Sequence, residues 1–153
     1  MLEATGDLWI LAKGSPLCIT TNGDINSRGR AVMGRGIALE AAQRFPELPR
    51  ELAKLIAMYG NHVHPLFWHP ISGLVNLYFL ISFPVKDDWR EAADPKLILR
   101  SAIELVKLAD RMLLDFLKIY LPRPGCSNGH LKWEDVKPII EPLLDDRFVV
   151  VTR

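Results

Sequence analysis

The clearest periodic signal in the chain follows Asp94-Pro95, where Ile98, Ala102, Leu105, Val106, Ala109, Met112 and Leu113 recur three or four residues apart. That spacing gathers them on one stripe of an amphipathic helix, with Asp94 as its cap and Pro95 at the first helical position, where a missing N–H costs nothing. Leu74 to Ile81 differs in being almost wholly apolar, which predicts a strand covered on both faces. Leu17-Cys18-Ile19-Thr20-Thr21 is a short strand pattern bounded by Pro16 and by Asn22-Gly23, so it ends in a loop. Ile37 to Phe45 is rich in helix formers and stops at Pro46, and Pro49 starts a second helix through Ala57 that Gly60 closes. Phe116 to Leu121 and Phe148 to Thr152 predict further strands, and Trp133 to Leu144 a helix disturbed by Pro138 and Pro142. Val63 to Phe67 is a weaker strand pattern because it contains Pro65. Strands and helices alternate without an internal repeat, which favours a layered α/β sheet.

At 153 residues the chain fits one domain over positions 1–153. Its 49% hydrophobic and 24% charged residues are ordinary globular usage and exclude wholesale disorder. Nineteen basic residues against eighteen acidic ones leave a formal charge of +1, too little for a global field that attracts nucleic acid or anionic lipid. Recognition of a phosphate must then be local. Cys18 and Cys126 are distant in sequence, and no basic segment followed by an apolar run opens the chain, so a reduced, cytoplasmic setting is expected. The longest apolar stretch, Leu66 to Val85, is broken by His69, Pro70, Ser72, Gly73, Asn76, Ser82 and Pro84, and no membrane partner is expected from it.

Two strands each end in a small-residue loop that feeds a helix. One runs from Asn22 through Gly34-Arg35-Gly36, the other from Leu121 through Gly125-Cys126-Ser127-Asn128-Gly129-His130. In open α/β sheets ligands sit beyond the carboxyl ends of strands, where helix N-termini present unpaired N–H groups to anions. Glycine lets the backbone approach a phosphate and adopt positive φ, although a lone glycine loop is more often only a turn. Gly34-Arg35-Gly36 lacks both the dinucleotide fingerprint and the phosphate-loop lysine, so only the two loops together point to a phosphate site.

Taken in order, Gly6-Asp7-Leu8, Asn22, Val32-Met33-Gly34-Arg35-Gly36-Ile37-Ala38 and Pro124-Gly125-Cys126-Ser127-Asn128-Gly129-His130-Leu131-Lys132-Trp133 resemble the motifs of macro domains. The resemblance runs from Gly6 to the final strand, and within the family it is closest to the branch of ADP-ribose phosphoesterases and DNA ADP-ribosyl glycohydrolase antitoxins. It implies a three-layer α/β/α fold on a mixed sheet, with no cofactor. The partner it implies is ADP-ribose or an ADP-ribosylated molecule, DNA included. By the same resemblance Asp7 accepts from the adenine amino group with the Leu8 backbone beside it, and Asn22 reaches the distal ribose. Gly34, Gly36 and Ile37, with Met33 and Arg35 in the same segment, line one side of the diphosphate. Ser127, Asn128, Gly129 and His130, with Gly125 and Cys126, line the other. Read without the resemblance, Asp7 is a turn aspartate and Asn22 a loop asparagine. Two departures stand out. Gly23 to Ala31 is longer than the connection expected in the antitoxins, and Gly6 comes so early that the first strand is short or absent.

For chemistry, Lys86 follows the buried strand where the antitoxin branch carries its functional lysine, and a lysine there can stabilise or attack the anomeric carbon of the distal ribose. Asp87 and Asp88 beside it are counter-charges unless they point away. The acidic residue that related glycohydrolases use in the second loop falls at Gly129, so no lysine and aspartate pair is available. A phosphoesterase would draw on His130 or Asp24. ADP-ribose-1″-phosphate or its cyclic phosphate is therefore the first expectation, removal of ADP-ribose from DNA or protein through Lys86 the second, and a non-catalytic reader the third. His62, His64 and His69 make an incomplete ligand set, and no metal is expected. Cys126 has no paired base, Arg28, Arg30 and Arg35 read as solvent-facing, and Trp68, Trp89 and Trp133 as core or cleft walls.

Overall fold

The structure, a computed structural model, describes residues 1–66, 69–70, 77–112 and 117–153. In chain order the elements are β1 (Leu2–Thr5), α1 (Leu8–Leu11), β2 (Pro16–Thr21), α2 (Gly36–Arg44), α3 (Leu48–Tyr59), β3 (His69–Pro70), β4 (Leu77–Pro84), α4 (Pro95–Arg111), β5 (Ile119–Pro122), α5 (Trp133–Ile140) and β6 (Phe148–Thr152). The strands form one sheet in the order β1-β6-β5-β2-β4-β3. All pairs are parallel except β3 with β4, which makes the sheet mixed.

Side-chain alternation along the strands explains the layers. Cys18, Ile81, Phe83, Ile119, Leu121, Phe148 and Val150 pack with Ile98, Ala102 and Leu105 of α4 and with Val136 and Ile140 of α5. Their neighbours in sequence, Leu17, Ile19, Leu80, Val149 and Val151, turn to the other face and pack with α1, α2 and α3 through Leu8, Ala41, Leu48 and Leu52. Helices therefore cover both faces, and this is why the central strands read as apolar runs and not as alternating patterns. The result is the expected three-layer α/β/α arrangement.

Differences from the sequence reading have local causes. The first strand exists but has only four residues, paired in parallel with β6. Helix α1 was not foreseen, since four residues carry no usable periodicity. Strand β4 runs on to Pro84 because it pairs with β2 along the whole of Pro16–Thr21. Helix α5 stops at Ile140, four residues short of the expected Leu144, because Pro142 has no N–H to continue the ladder. Pro65 contributes only an isolated bridge to Ile81. Phe67, Trp68, the segment 71–76 and the segment 113–116 lie outside the described residues, and with them parts of four expected elements. Among the described residues no helix is long and apolar enough to cross a membrane.

Candidate functional site

Because β2, β4, β5 and β6 are parallel, their carboxyl ends lie along one edge of the sheet, and a cavity of about 590 Å³ opens there. It crosses four adjacent strand ends, a span of roughly 14 Å at the usual inter-strand spacing. At the β6 end it is lined by Leu8, Val151, Thr152 and Arg153, and at the β4 end by Asn22, Val85, Lys86 and Trp89. Between these ends, segment 33–38 faces segment 125–129.

Both middle walls present free amides. Arg35 caps α2 in an extended conformation with no side-chain hydrogen bond to the first turn, so the leading N–H groups of α2 stay open beside the cavity. The opposite loop closes on itself through Leu131 N–H to Gly125 O at 2.9 Å and His130 N–H to Ser127 O at 3.1 Å, while Gly129 O accepts from Ala93 N–H at 3.0 Å. Among the described residues the N–H groups of Ser127, Asn128 and Gly129 have no protein acceptor. Glycine is required at 129, where a Cβ would lie 2.5 Å from Gly125 O and 2.6 Å from Ala93 Cβ.

The electrostatics of the lining were hidden by the near-neutral composition. Among the described residues Arg35, Lys86, Arg123 and Arg153 line the cavity and no aspartate or glutamate does. Arg153 is held by both oxygens of Glu40, whose carboxyl Arg153 and then the Trp9 indole N–H pull below its ordinary value. Arg123 lies 3.8 Å from Glu3 and over the Trp133 ring. Among the described residues Lys86 and Arg35 have no carboxylate partner. The Lys86 ammonium donates instead to the carbonyls of Glu91 at 3.0 Å and Asn128 at 3.4 Å. Its two acidic neighbours are engaged elsewhere. Asp87 accepts from Asn61, and the Arg90 guanidinium and N–H hold the Asp88 carboxyl down to about 2.

No family model matches the chain. Its fold superposes on the macrodomain of Mycobacterium tuberculosis DarG with a TM-score of 0.75 at 25% identity, covering 99% of this chain and 98% of that one. The chain is a macrodomain. The macrodomain of Thermus aquaticus DarG is similarly close, with a TM-score of 0.76 and 26% identity over 99% of this chain and 97% of that one. In sequence the macrodomain is 30% identical over 106 residues to a DNA ADP-ribosyl glycohydrolase of Mycobacterium tuberculosis, covering 69% of this chain. It spans only 30% of the length of that curated relative.

Of the residues singled out from sequence, Leu8, Asn22, Met33, Gly34, Arg35, Gly36, Ile37, Lys86, Gly125, Cys126, Ser127, Asn128 and Gly129 line the cavity of the macrodomain. Asp7, Asp24 and His130 are not part of that lining. Asp7 caps α1 through Oδ1, which accepts from Trp9 and Ile10 N–H. Asp24 Oδ2 accepts from Trp89 N–H at 2.7 Å and ties the long loop to the segment after β4. His130 is exposed and holds a left-handed backbone at φ 62°. Asn22 staples its own loop, donating to Val32 O and accepting from Asp24 N–H, which leaves one amide hydrogen for the cavity. The imidazole of His62 contacts Glu104 at 2.7 Å, and that of His64 contacts Gly60 O at 2.9 Å. Sequence reasoning missed Thr20, Thr21, Arg123 and Arg153 as lining residues. Their only signal is that each stands at a strand's carboxyl end, which becomes useful once strand order is known.

Cys126 reaches the cavity, but burial pushes its thiol pKa up, and Sγ lies 3.4 Å from Pro124 O. At neutral pH it therefore holds less thiolate than a free cysteine, and its alkylation by iodoacetamide should be slower than that of a free thiol and accelerate with rising pH. Cys126→Ala should leave nucleotide affinity within about twofold of the parent, as measured by calorimetry.

Proposed function

We propose that this macrodomain holds ADP-ribose along the carboxyl edge of its sheet and hydrolyses the glycosidic bond that joins it to DNA. The adenosine lies at the β6 end against Leu8; Asp7, although outside the lining, precedes Leu8 and caps α1 through Oδ1 alone, which leaves Oδ2 for the adenine amino group. The diphosphate sits between the open amides of α2 and those of Ser127 to Gly129, with Arg35 adding charge. The distal ribose then falls at the β4 end, beside Lys86 and the remaining amide hydrogen of Asn22.

The observation that carries the reading is the setting of Lys86. Two backbone carbonyls fix its amino group at the end of the cavity, and among the described residues no carboxylate is hydrogen-bonded to it, the nearby Asp88 being held by Arg90. In the reaction, Lys86 first gives its ammonium proton to solvent, and the neutral amine then bonds to the anomeric carbon as the bond from that carbon to the DNA base breaks. The leaving base keeps the electron pair and takes up the proton shed by lysine. Water then displaces Lys86, giving free ADP-ribose and regenerating the amine. The relatives named as DNA ADP-ribosyl glycohydrolases support DNA as the conjugate. His130 and Asp24, which a phosphoesterase would draw on, stand outside the lining.

The deciding experiment offers the protein ADP-ribosylated single-stranded DNA, ADP-ribosylated protein and ADP-ribose-1″-phosphate in parallel. Release of free ADP-ribose should be fastest from DNA. Inorganic phosphate from the third substrate, with no ADP-ribose from the first, would replace this reading with the phosphoesterase.

A further inference from the structure

The wall beyond Lys86 has a feature that binding ADP-ribose alone does not use. Trp89 lines the cavity at its β4 end, and it is the sole aromatic residue among the described lining residues. The residue is 48% exposed, so its indole is accessible to a ligand in the cavity. The backbone beneath it is firmly tied. Trp89 N–H donates to Asp24 Oδ2 at 2.7 Å, Gly23 N–H donates to Asp87 O at 2.9 Å, and the Asn61 amide donates to Lys86 O at 3.1 Å. The ring is thus presented on a fixed loop, three residues past the lysine.

If Lys86 marks the anomeric carbon, whatever leaves that carbon departs at this end of the cavity. We propose that the indole of Trp89 stacks on the nucleobase that carries the ADP-ribose, and so selects a nucleic acid conjugate over a protein one. The inference rests on the glycohydrolase reading. A nucleobase offers a broad flat π face that a carboxylate or hydroxyl acceptor lacks and that exceeds an arginine guanidinium in area, and such stacking tolerates any base. The charge around Trp89 is mixed, with Asp24, Asp87, Asp88 and Glu91 beside Arg90, so any help for a strand comes from the neighbouring loop. Asp24, which holds Trp89, begins the loop that carries Arg28 and Arg30, and both are exposed without a carboxylate partner among the described residues. Cations so placed suit the phosphates that flank the modified nucleotide.

The test uses Lys86→Ala, so that substrate persists, with and without Trp89→Ala. Affinities are measured for free ADP-ribose and for an ADP-ribosylated single-stranded oligonucleotide. Removing the indole should weaken the oligonucleotide by roughly tenfold or more, the usual worth of one stacked base, and leave ADP-ribose within about twofold. Trp89→Phe should retain most of the oligonucleotide affinity. The unchanged ADP-ribose affinity also shows that the variant is folded. Equal losses for both ligands would make Trp89 a wall for ADP-ribose itself and overturn the proposal, as would no loss for either. It also fails if the oligonucleotide binds no tighter than ADP-ribose while Trp89 is intact. Failure of the activity reading looks different. The wild-type protein would then grip the modified oligonucleotide through Trp89 and release nothing from it.

Discussion

Lys86→Ala should lower the release of ADP-ribose from modified DNA by about a thousandfold or more, equivalent to about 4 kcal/mol of transition-state stabilisation. Free ADP-ribose should still bind within about threefold, because the substitution removes only one long contact to Asn128 O from a loop that its own hydrogen bonds and that of Ala93 hold in place. The fold should tolerate the change. Lys86 is only half-buried and bonds to two carbonyls at the cavity edge, where water can replace its ammonium. Lys86→Arg separates the roles open to this residue. A guanidinium keeps the positive charge but is no nucleophile, so it should be as inactive as alanine if the amine attacks the anomeric carbon. If lysine only stabilised developing charge, arginine would restore much of the rate. Single-turnover release assays paired with calorimetry read both quantities, and an arginine variant retaining a tenth of the parent rate would remove the covalent step.

What could be read from the sequence was whatever depends on neighbours along the chain. The stripe from Ile98 to Ala109 specified α4 because one face of a helix is a local property. The glycines of the two loops were legible because positive φ and close approach exclude other residues, as at Gly125, where φ is +72°. The lysine after the buried strand was found by its place in a motif. What stayed hidden depends on strand order. That β5 lies between β6 and β2 brings Arg123 and Arg153 to the same cavity as Gly34, residues separated by most of the chain. Among the described residues the same packing gives the lining four basic side chains and no acidic one, while the whole chain is almost neutral. Side-chain commitments were equally out of reach. Nothing local shows that the Asp24 carboxylate is spent on Trp89 N–H, or that Asn22 staples its own loop.

The placement of the diphosphate is best tested at Gly34, because the other glycines of the two walls would report on folding instead. A Cβ at Gly125 would approach Ala93 Cβ to 2.8 Å at a φ of +72°, and at Gly129 it would strike the Gly125 carbonyl. Gly36 also has a positive φ, of 56°, with the Asn128 amide 3.0 Å from a Cβ built there. At Gly34 no atom lies within 4 Å of an added Cβ, and the residue is exposed at the cavity wall. Gly34→Ala should therefore bind ADP-ribose about as the parent does, within about twofold. Gly34→Glu brings a carboxylate toward the diphosphate. Two unit charges about 4 Å apart repel by about 4 kcal/mol at an effective dielectric of 20, so even with half of that lost to solvent, affinity should fall by tens-fold to roughly a hundredfold. Added salt should recover part of the loss, since exposed charges are screened over about 10 Å at 0.1 M ionic strength. Unfolding free energy should move by no more than about 0.5 kcal/mol, as expected of an exposed position. Parental affinity in the glutamate variant would mean that the diphosphate does not pass between these two loops, and the assignment of Lys86 to the anomeric carbon would fall with it, because that assignment follows from where the phosphates lie.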